Sequence, residues 1–155
     1  MFDLLDMDII WMRYAITLAS VAALSGNVAI GAVLVYDGRL VGYGYNAALI
    51  FHDPSAHAEI IALRVGGNYL GNYRLLNTTL YVTMEPCIMC VGAIINARIH
   101  RLVCGAIGNK IRWINLLRIN YFIDHAMINH QCDIKTGVLS EVCSKQIRDF
   151  FKYKR

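Results

Sequence analysis

The order of apolar and polar positions along the chain predicts helices alternating with strands. Residues 8–24 place Ile9, Met12, Ile16, Ala19 and Ala23 at helical spacing, and Gly26 follows as a C-cap, so a first helix is expected there. The apolar runs 28–36 and 40–45 flank Asp37-Gly38, a two-residue hairpin signal, and are expected to pair antiparallel. Asp53-Pro54 opens a second helix over 55–65, which Gly66-Gly67 is expected to end. Residues 79–84 alternate β-branched and aromatic side chains like a strand, and Pro86 suits the first turn of a helix reaching residue 97. Beyond it the pattern predicts a strand at 99–105, a helical stretch near 112–124, a last strand at 131–135 and a closing amphipathic helix at 140–152. An α/β layer structure is implied, around a sheet that is mixed because its first pair is a hairpin.

Composition narrows the class. A chain of 155 residues, 57% apolar and 17% charged, is far from the signature of disorder and fits a single domain over 1–155. Tyr14 to Tyr36 runs without a charge for a length that could span a bilayer. Thr17, Ser20 and Ser25-Gly26-Asn27 interrupt it, however, and the triplet reads as a helix stop before a strand, so no membrane association is expected. The first ten residues hold Asp3, Asp6 and Asp8 and no cation, unlike a basic leader, and a cytoplasmic location is the expectation. Five cysteines, an odd count without an export signal, argue against a disulfide framework and leave metal binding open. Residues 1–60 carry two cations against six carboxylates and residues 61–155 thirteen against five. The second part suits a polyanion or is a solvated basic face.

Two short motifs carry chemistry: His57-Ala58-Glu59, and Pro86-Cys87-Ile88-Met89-Cys90. Cys87 and Cys90 are three residues apart on an expected helix, so their sulfurs face one side; a first-turn location, shared by His57, favours thiolate through the helix dipole. Two thiolates and an imidazole suit Zn²⁺. Three protein ligands leave a fourth position for water, the arrangement of a catalytic zinc, whereas a structural zinc needs a fourth ligand from Cys104, Cys132, Cys143 or His52. A lone C-x-x-C leaves structural, redox and catalytic readings open; the H-x-E motif favours the catalytic one, because a redox pair would leave His57 and Glu59 as spectators. Glu59 is then placed to take and return protons at a zinc-bound hydroxide, which points to hydrolytic deamination of an amidine-like ring carbon. Read alone, Glu59 is more simply an ordinary first-turn glutamate, favoured there by the helix dipole.

Together these motifs make the signature of the zinc-dependent nucleobase deaminases. More narrowly, the chain resembles bacterial tRNA-specific adenosine deaminases through Trp11-Met12-Arg13, Gly31-Ala32-Val33-Leu34-Val35, Asn46, His52-Asp53-Pro54-Ser55-Ala56-His57-Ala58-Glu59-Ile60, Ala62-Leu63-Arg64, Asn72-Tyr73-Arg74-Leu75, Thr79-Leu80-Tyr81-Val82-Thr83-Met84-Glu85-Pro86-Cys87 and Gly105-Ala106. The resemblance, over residues 8–155, implies a three-layer α/β/α cytidine-deaminase-like fold with a central mixed sheet of about five strands. It further implies conversion of adenosine to inosine at the wobble position of a tRNA anticodon, that of an arginine tRNA, by a homodimer whose subunits both contribute to RNA binding. It places one Zn²⁺ per chain on His57, Cys87 and Cys90, makes Glu59 the proton shuttle and sets Asn46, Ala58 and Pro86 against the substrate. Asn46 by itself also reads as a strand-end asparagine satisfying its own turn.

Candidate RNA contacts are Lys110 and Arg112, and the tail in which Phe151, Lys152, Lys154 and Arg155 interleave cations with aromatics. Phe150 and Phe151 are alternatively core anchors. After Gly105-Ala106 the family usually carries Arg-Asp, then Lys-Thr-Gly; here the run is Ile107-Gly108-Asn109-Lys110, so a glycine stands at the position of the acid. Ala29 likewise stands for a usual proline. Two rival readings share the motifs: a deaminase of a free base or nucleotide, guanine or cytosine in type, and a zinc-stabilised RNA-binding protein without catalysis, which the intact Glu59 disfavours.

Overall fold

The computed structural model describes residues 3–108, 113–114 and 130–154. Helix α1 spans Leu4–Leu24, starting before the expected stripe because the Asp3 carboxylate accepts the Asp6 N–H at 2.8 Å and caps it. Leu4 and Leu5 are exposed, so the first turn carries no inward pattern to read. Strands β1 (Gly31–Tyr36) and β2 (Arg39–Tyr45) form the expected hairpin, with Asp37 and Gly38 both left-handed at φ 49° and 68° as a type I′ turn requires. A short helix α2 (Ala48–Phe51) and helix α3 (Ala58–Leu70) follow. Then come β3 (Thr78–Met84), α4 (Ile88–Ala97), β4 (Arg101–Ala106), β5 (Asp133–Lys135) and α5 (Ser140–Tyr153).

The strands make one mixed sheet in the order β2-β1-β3-β4-β5, antiparallel from β2 to β3 and parallel from β3 to β5. Side chains alternate across it. Ala32 and Leu34 of β1 join Ala62, Leu80, Val91, Ile94 and Leu102 on one face, while Val33 and Val35 join Met12, Ala15, Tyr81, Val103 and Cys143 on the other. Helices α3 and α4 therefore cover the first face and α1 and α5 the second, which is the expected three-layer α/β/α arrangement. By length and composition α1 could cross a membrane, yet Met12, Ala15, Ala19 and Ala22 have no exposed surface and pack on the sheet side. Ser25-Gly26-Asn27 separates α1 from the approach to β1.

Several spans differ from the sequence pattern. Helix α3 does not stop at Gly66-Gly67 but runs to Leu70, with left-handed Gly71 at φ 66° as its cap. Gly66 is there for contact: a Cβ would collide with Leu34 Cδ2, so the glycine that resembles a stop is one of the places where helix and sheet meet closely. The helix also begins three residues later than expected, and α2 was not anticipated. Strand β5 is only three residues long. Apart from Trp113 and Ile114, which form a turn, the helical stretch expected near 112–124 lies outside the described residues, as do Lys110, Arg112 and Arg155.

A buried ionic cluster ties α1 to the sheet. Asp8, with no exposed surface, receives two bonds from the Arg101 guanidinium (2.7 and 2.9 Å), one from Lys135 Nζ (2.7 Å) and one from the Tyr81 hydroxyl (3.0 Å). Burial by itself would raise the Asp8 carboxyl; the bonds from Arg101, Lys135 and Tyr81 outweigh it and hold the group below its ordinary range. Arg101 begins β4 and pairs with Thr79 near the start of β3, so the cluster lies at the opposite end of these strands from Cys87.

Candidate metal centre

His57 and Cys87 were expected inside first turns and instead occupy the N-cap positions of α3 and α4, with extended backbones at ψ 154° and 173°. Pro86 accordingly precedes α4 rather than starting it, and Cys90 is the third helical residue. Both helices point their N-termini at one spot, where the three ligand atoms lie within 4.8 Å of one another. His57 Nδ1 is 3.6 Å from Cys87 Sγ and 3.6 Å from Cys90 Sγ. A tetrahedral Zn²⁺, about 2.0–2.1 Å from nitrogen and about 2.3 Å from sulfur, sets such ligands roughly 3.6 Å apart. The residues present therefore fit a zinc ion, with Nδ1 as the imidazole donor.

Glu59, the second residue of α3, is buried at 4% exposure beside this set. Burial pushes its carboxyl up to about 7, against a smaller opposing pull from its own backbone N–H and from Cys90. Cys90 is likewise pushed up by burial first, then by Glu59 and Cys87. The helix-end location that favours thiolate is opposed at Cys90 by desolvation and by these two acids, and a bound cation would favour the thiolate form. Two thiols and a carboxyl converging on an imidazole form a donor set that a dication completes.

Among the residues expected against the substrate, Asn46 is buried and its Oδ1 accepts the Ala58 N–H at 2.9 Å. The side chain thus satisfies a helix terminus twelve residues on, not its own turn, and sets the height at which α3 begins. Ala58 and Pro86 are both buried at the two N-termini. Glu85 was not singled out by its chemistry. Its Oε1 accepts the Gly108 N–H at 3.0 Å, its backbone N–H donates to Ala106 O, and Oε2 is buried without a partner among the described residues. A clue was available, since an acid sits two residues before a metal ligand in Glu85-Pro86-Cys87.

Phe151, Lys152 and Lys154 are exposed at the end of α5, and Phe150 is half-buried with Lys154 Nζ 5.4 Å above its ring. Neither phenylalanine is a core anchor. Gln146 holds α5 to α1 through Ile16 O (2.9 Å) and Ser20 Oγ (3.0 Å).

Comparison with known proteins agrees with this geometry. Residues 6–106 match the family described as the cytidine and deoxycytidylate deaminase zinc-binding region. The chain is 50% identical to the tRNA-specific adenosine deaminase of Haemophilus influenzae over 145 residues, 93% of this chain and 83% of that one. It is 48% identical to the tRNA-specific adenosine deaminase of Buchnera aphidicola subsp. Baizongia pistaciae over 153 residues, 97% of this chain and 91% of that one. A structure solved in a study of A-to-I editing by tRNA:A34 deaminases at the wobble position superposes with a TM-score of 0.79 at 36% identity, covering 88% of this chain and 98% of its own.

Proposed function

The chain belongs to the tRNA-specific adenosine deaminases of the cytidine and deoxycytidylate deaminase zinc-binding family, and on that premise we propose that it converts adenosine to inosine at the wobble position of an arginine tRNA anticodon. It is a zinc-dependent deaminase with one Zn²⁺ per chain. The observation that carries the proposal is the spacing of His57 Nδ1 from both cysteine sulfurs, 3.6 Å each, with buried Glu59 alongside.

In this reading His57, Cys87 and Cys90 hold the ion. Bound there, Zn²⁺ supplies the Lewis acidity that brings the pKa of water from about 15.7 to near 7. Glu59 takes the proton released as the water oxygen attacks C6 of adenine, and returns it to the departing amine. The C6–O bond forms, the C6–N bond breaks, and inosine and ammonia leave. A carboxyl raised toward neutrality serves both halves of this exchange, and such a group contributes about 10²–10⁴-fold. Asn46, its oxygen committed to Ala58, meets the base with its amide nitrogen, and Ala58 and Pro86 form walls of the pocket. An anticodon loop offers an unpaired base that is extruded at low cost.

The basic, aromatic end of α5, with Phe151, Lys152, Lys154 and Arg155, joins Lys110 and Arg112 in holding the RNA backbone. Leu49, Ile50 and Phe51 of α2 and Ile88 and Met89 of α4 leave apolar surface exposed around the metal ligands, which supports a homodimer in which a second copy covers it. The cytoplasm, where tRNA is abundant, is the proposed location. One assay tests the reading: the purified protein is incubated with anticodon stem-loops and, separately, with free bases and nucleosides. Inosine in the arginine stem-loop is the expected product by mass; xanthine or uracil from free bases, with no inosine in RNA, overturns it.

A further inference from the structure

The imidazole of His57 makes no hydrogen bond to the helix it precedes, so its aim depends on the backbone that delivers it. That backbone is a turn built on Asp53. The Asp53 carbonyl accepts the Ala56 N–H at 3.1 Å, and its Oδ1 accepts both the Ser55 N–H (2.8 Å) and the Ser55 hydroxyl (2.7 Å). Pro54 fills the second position, where its fixed φ is suited to such a turn. The next links lead directly to the ligand. His57 N–H donates to Ser55 O at 2.7 Å, Ala56 O accepts the Ala47 N–H at 3.0 Å, and Ala58 N–H reaches Asn46 Oδ1. Upstream, Asp53 N–H returns to Ala48 O of α2, and Oδ2 lies 3.7 Å from Arg64 of α3. One carboxylate therefore organises the segment between two helices from which the metal ligand projects.

We propose that Asp53 is a positioning residue for the metal ligand His57, acting through the Asp53-Ser55 hydrogen bonds that shape residues 53–57. Two bonds to Ser55 pull the Asp53 carboxyl below its ordinary range, the side-chain bond contributing most, as expected for an acceptor in constant use. Removing the partners of a ligating group typically weakens metal binding about 10–100-fold. Because the bonds need an acceptor and not a charge, asparagine can keep them.

Zinc affinity of the full chain, measured by chelator competition, tests this, with the thermal midpoint of the metal-free protein measured alongside. Asp53→Ala is expected to weaken zinc binding about 10–100-fold, while Asp53→Asn stays within about threefold of the wild type. Ser55→Ala, which keeps Asp53 and one of the two bonds, is expected to lose about threefold and decides the matter alone if Asp53→Ala does not fold. Unchanged affinity in Asp53→Ala or in Ser55→Ala overturns the proposal. So does an Asp53→Asn variant as weak as Asp53→Ala, which transfers the effect to the charge facing Arg64. The inference rests on zinc at His57, Cys87 and Cys90 and not on the RNA substrate: wild-type protein that binds no zinc refutes the metal reading, whereas a metal-binding wild type with unaffected variants refutes only the role of Asp53.

Discussion

Two buried polar clusters sit at opposite ends of the same strands and are built in opposite ways. Around Asp8 every charge is answered: Arg101, Lys135 and Tyr81 converge on one carboxylate, and Asp133 lies 3.4 Å from the outer edge of Arg101. Around His57 the pairing is left incomplete among the described residues. His57 Nδ1 faces both cysteine sulfurs across 3.6 Å gaps, and the Glu59 carboxyl, touched by its own backbone N–H and by Cys90, is held nearly dry with no basic partner among them. Burying a charge stabilises only when its partners are supplied, so the first cluster is a device of the fold, while the second awaits an ion and a substrate. In this protein, completeness of the local pairing separates architecture from chemistry better than burial does.

Substitutions at the two ends should therefore divide activity from stability. Glu59→Ala is expected to lower turnover by at least about 10²–10⁴-fold while zinc stays at one ion per chain, read by single-turnover kinetics and metal analysis. Near-normal turnover would remove Glu59 from the proton path. Cys87→Ala or Cys90→Ala should empty the site, because two remaining ligands do not hold the ion; a variant retaining stoichiometric zinc would overturn the ligand set.

At the other end, Asp8→Ala takes from Arg101 its buried partner, leaving the exposed Asp133, and should cost about 3–5 kcal/mol in denaturant unfolding, with the zinc content of the folded fraction unchanged. A loss below about 1 kcal/mol would show that the cluster does not bear on stability. The pH dependence has a definite sign. Asp8 is lowered in the folded state, so its contribution is complete above the ordinary carboxylate range and disappears as pH falls through the depressed folded value. Asp8→Asn should flatten that acid limb.

The smallest expected effect is on RNA contact. Lys152→Ala with Lys154→Ala should reduce the slope of log affinity against log salt by roughly 1.4–1.8, with zinc binding unaffected. A slope equal to that of the wild type would place the RNA elsewhere.

Much of the metal centre was legible because its spacing is local. H-x-E and C-x-x-C each fit within four residues, and a hairpin signal and two strand patterns place them near one another. The Asp8 cluster was not legible, since its bonds connect residues 73 to 127 positions apart; helical spacing puts Asp8 on the buried face with Met12, Ala15, Ala19 and Ala22, but names no partner for its carboxylate. The end of α3 was misjudged for a related reason. Gly66 answers to Leu34, a contact across the fold, and so behaves as a packing residue where local chemistry suggests a terminator. Gly108 teaches the same lesson at the site. On sequence grounds an aspartate there restores an acceptor; in the structure a Cβ at 108 would stand 3.1 Å from Glu85 Oε1, so the new carboxylate would crowd an existing one. An aspartate at 108 therefore needs the Glu85 side chain to give way.

Gly44, in β2, has no functional group and yet bears on how the metal ligand His57 is placed. A Cβ on it would come within 2.5 Å of Ala58 O, 2.8 Å of Ile61 Cβ and 2.9 Å of Ala62 N, so α3 rests its first turn directly on the backbone of β2. The strand acts as an anvil and the helix as a gauge block whose seating sets how far His57 stands off the sheet. Any side chain at 44 is a shim under that block. A side chain there is expected to lift the start of α3, and His57 with it, away from the sulfurs that α4 carries.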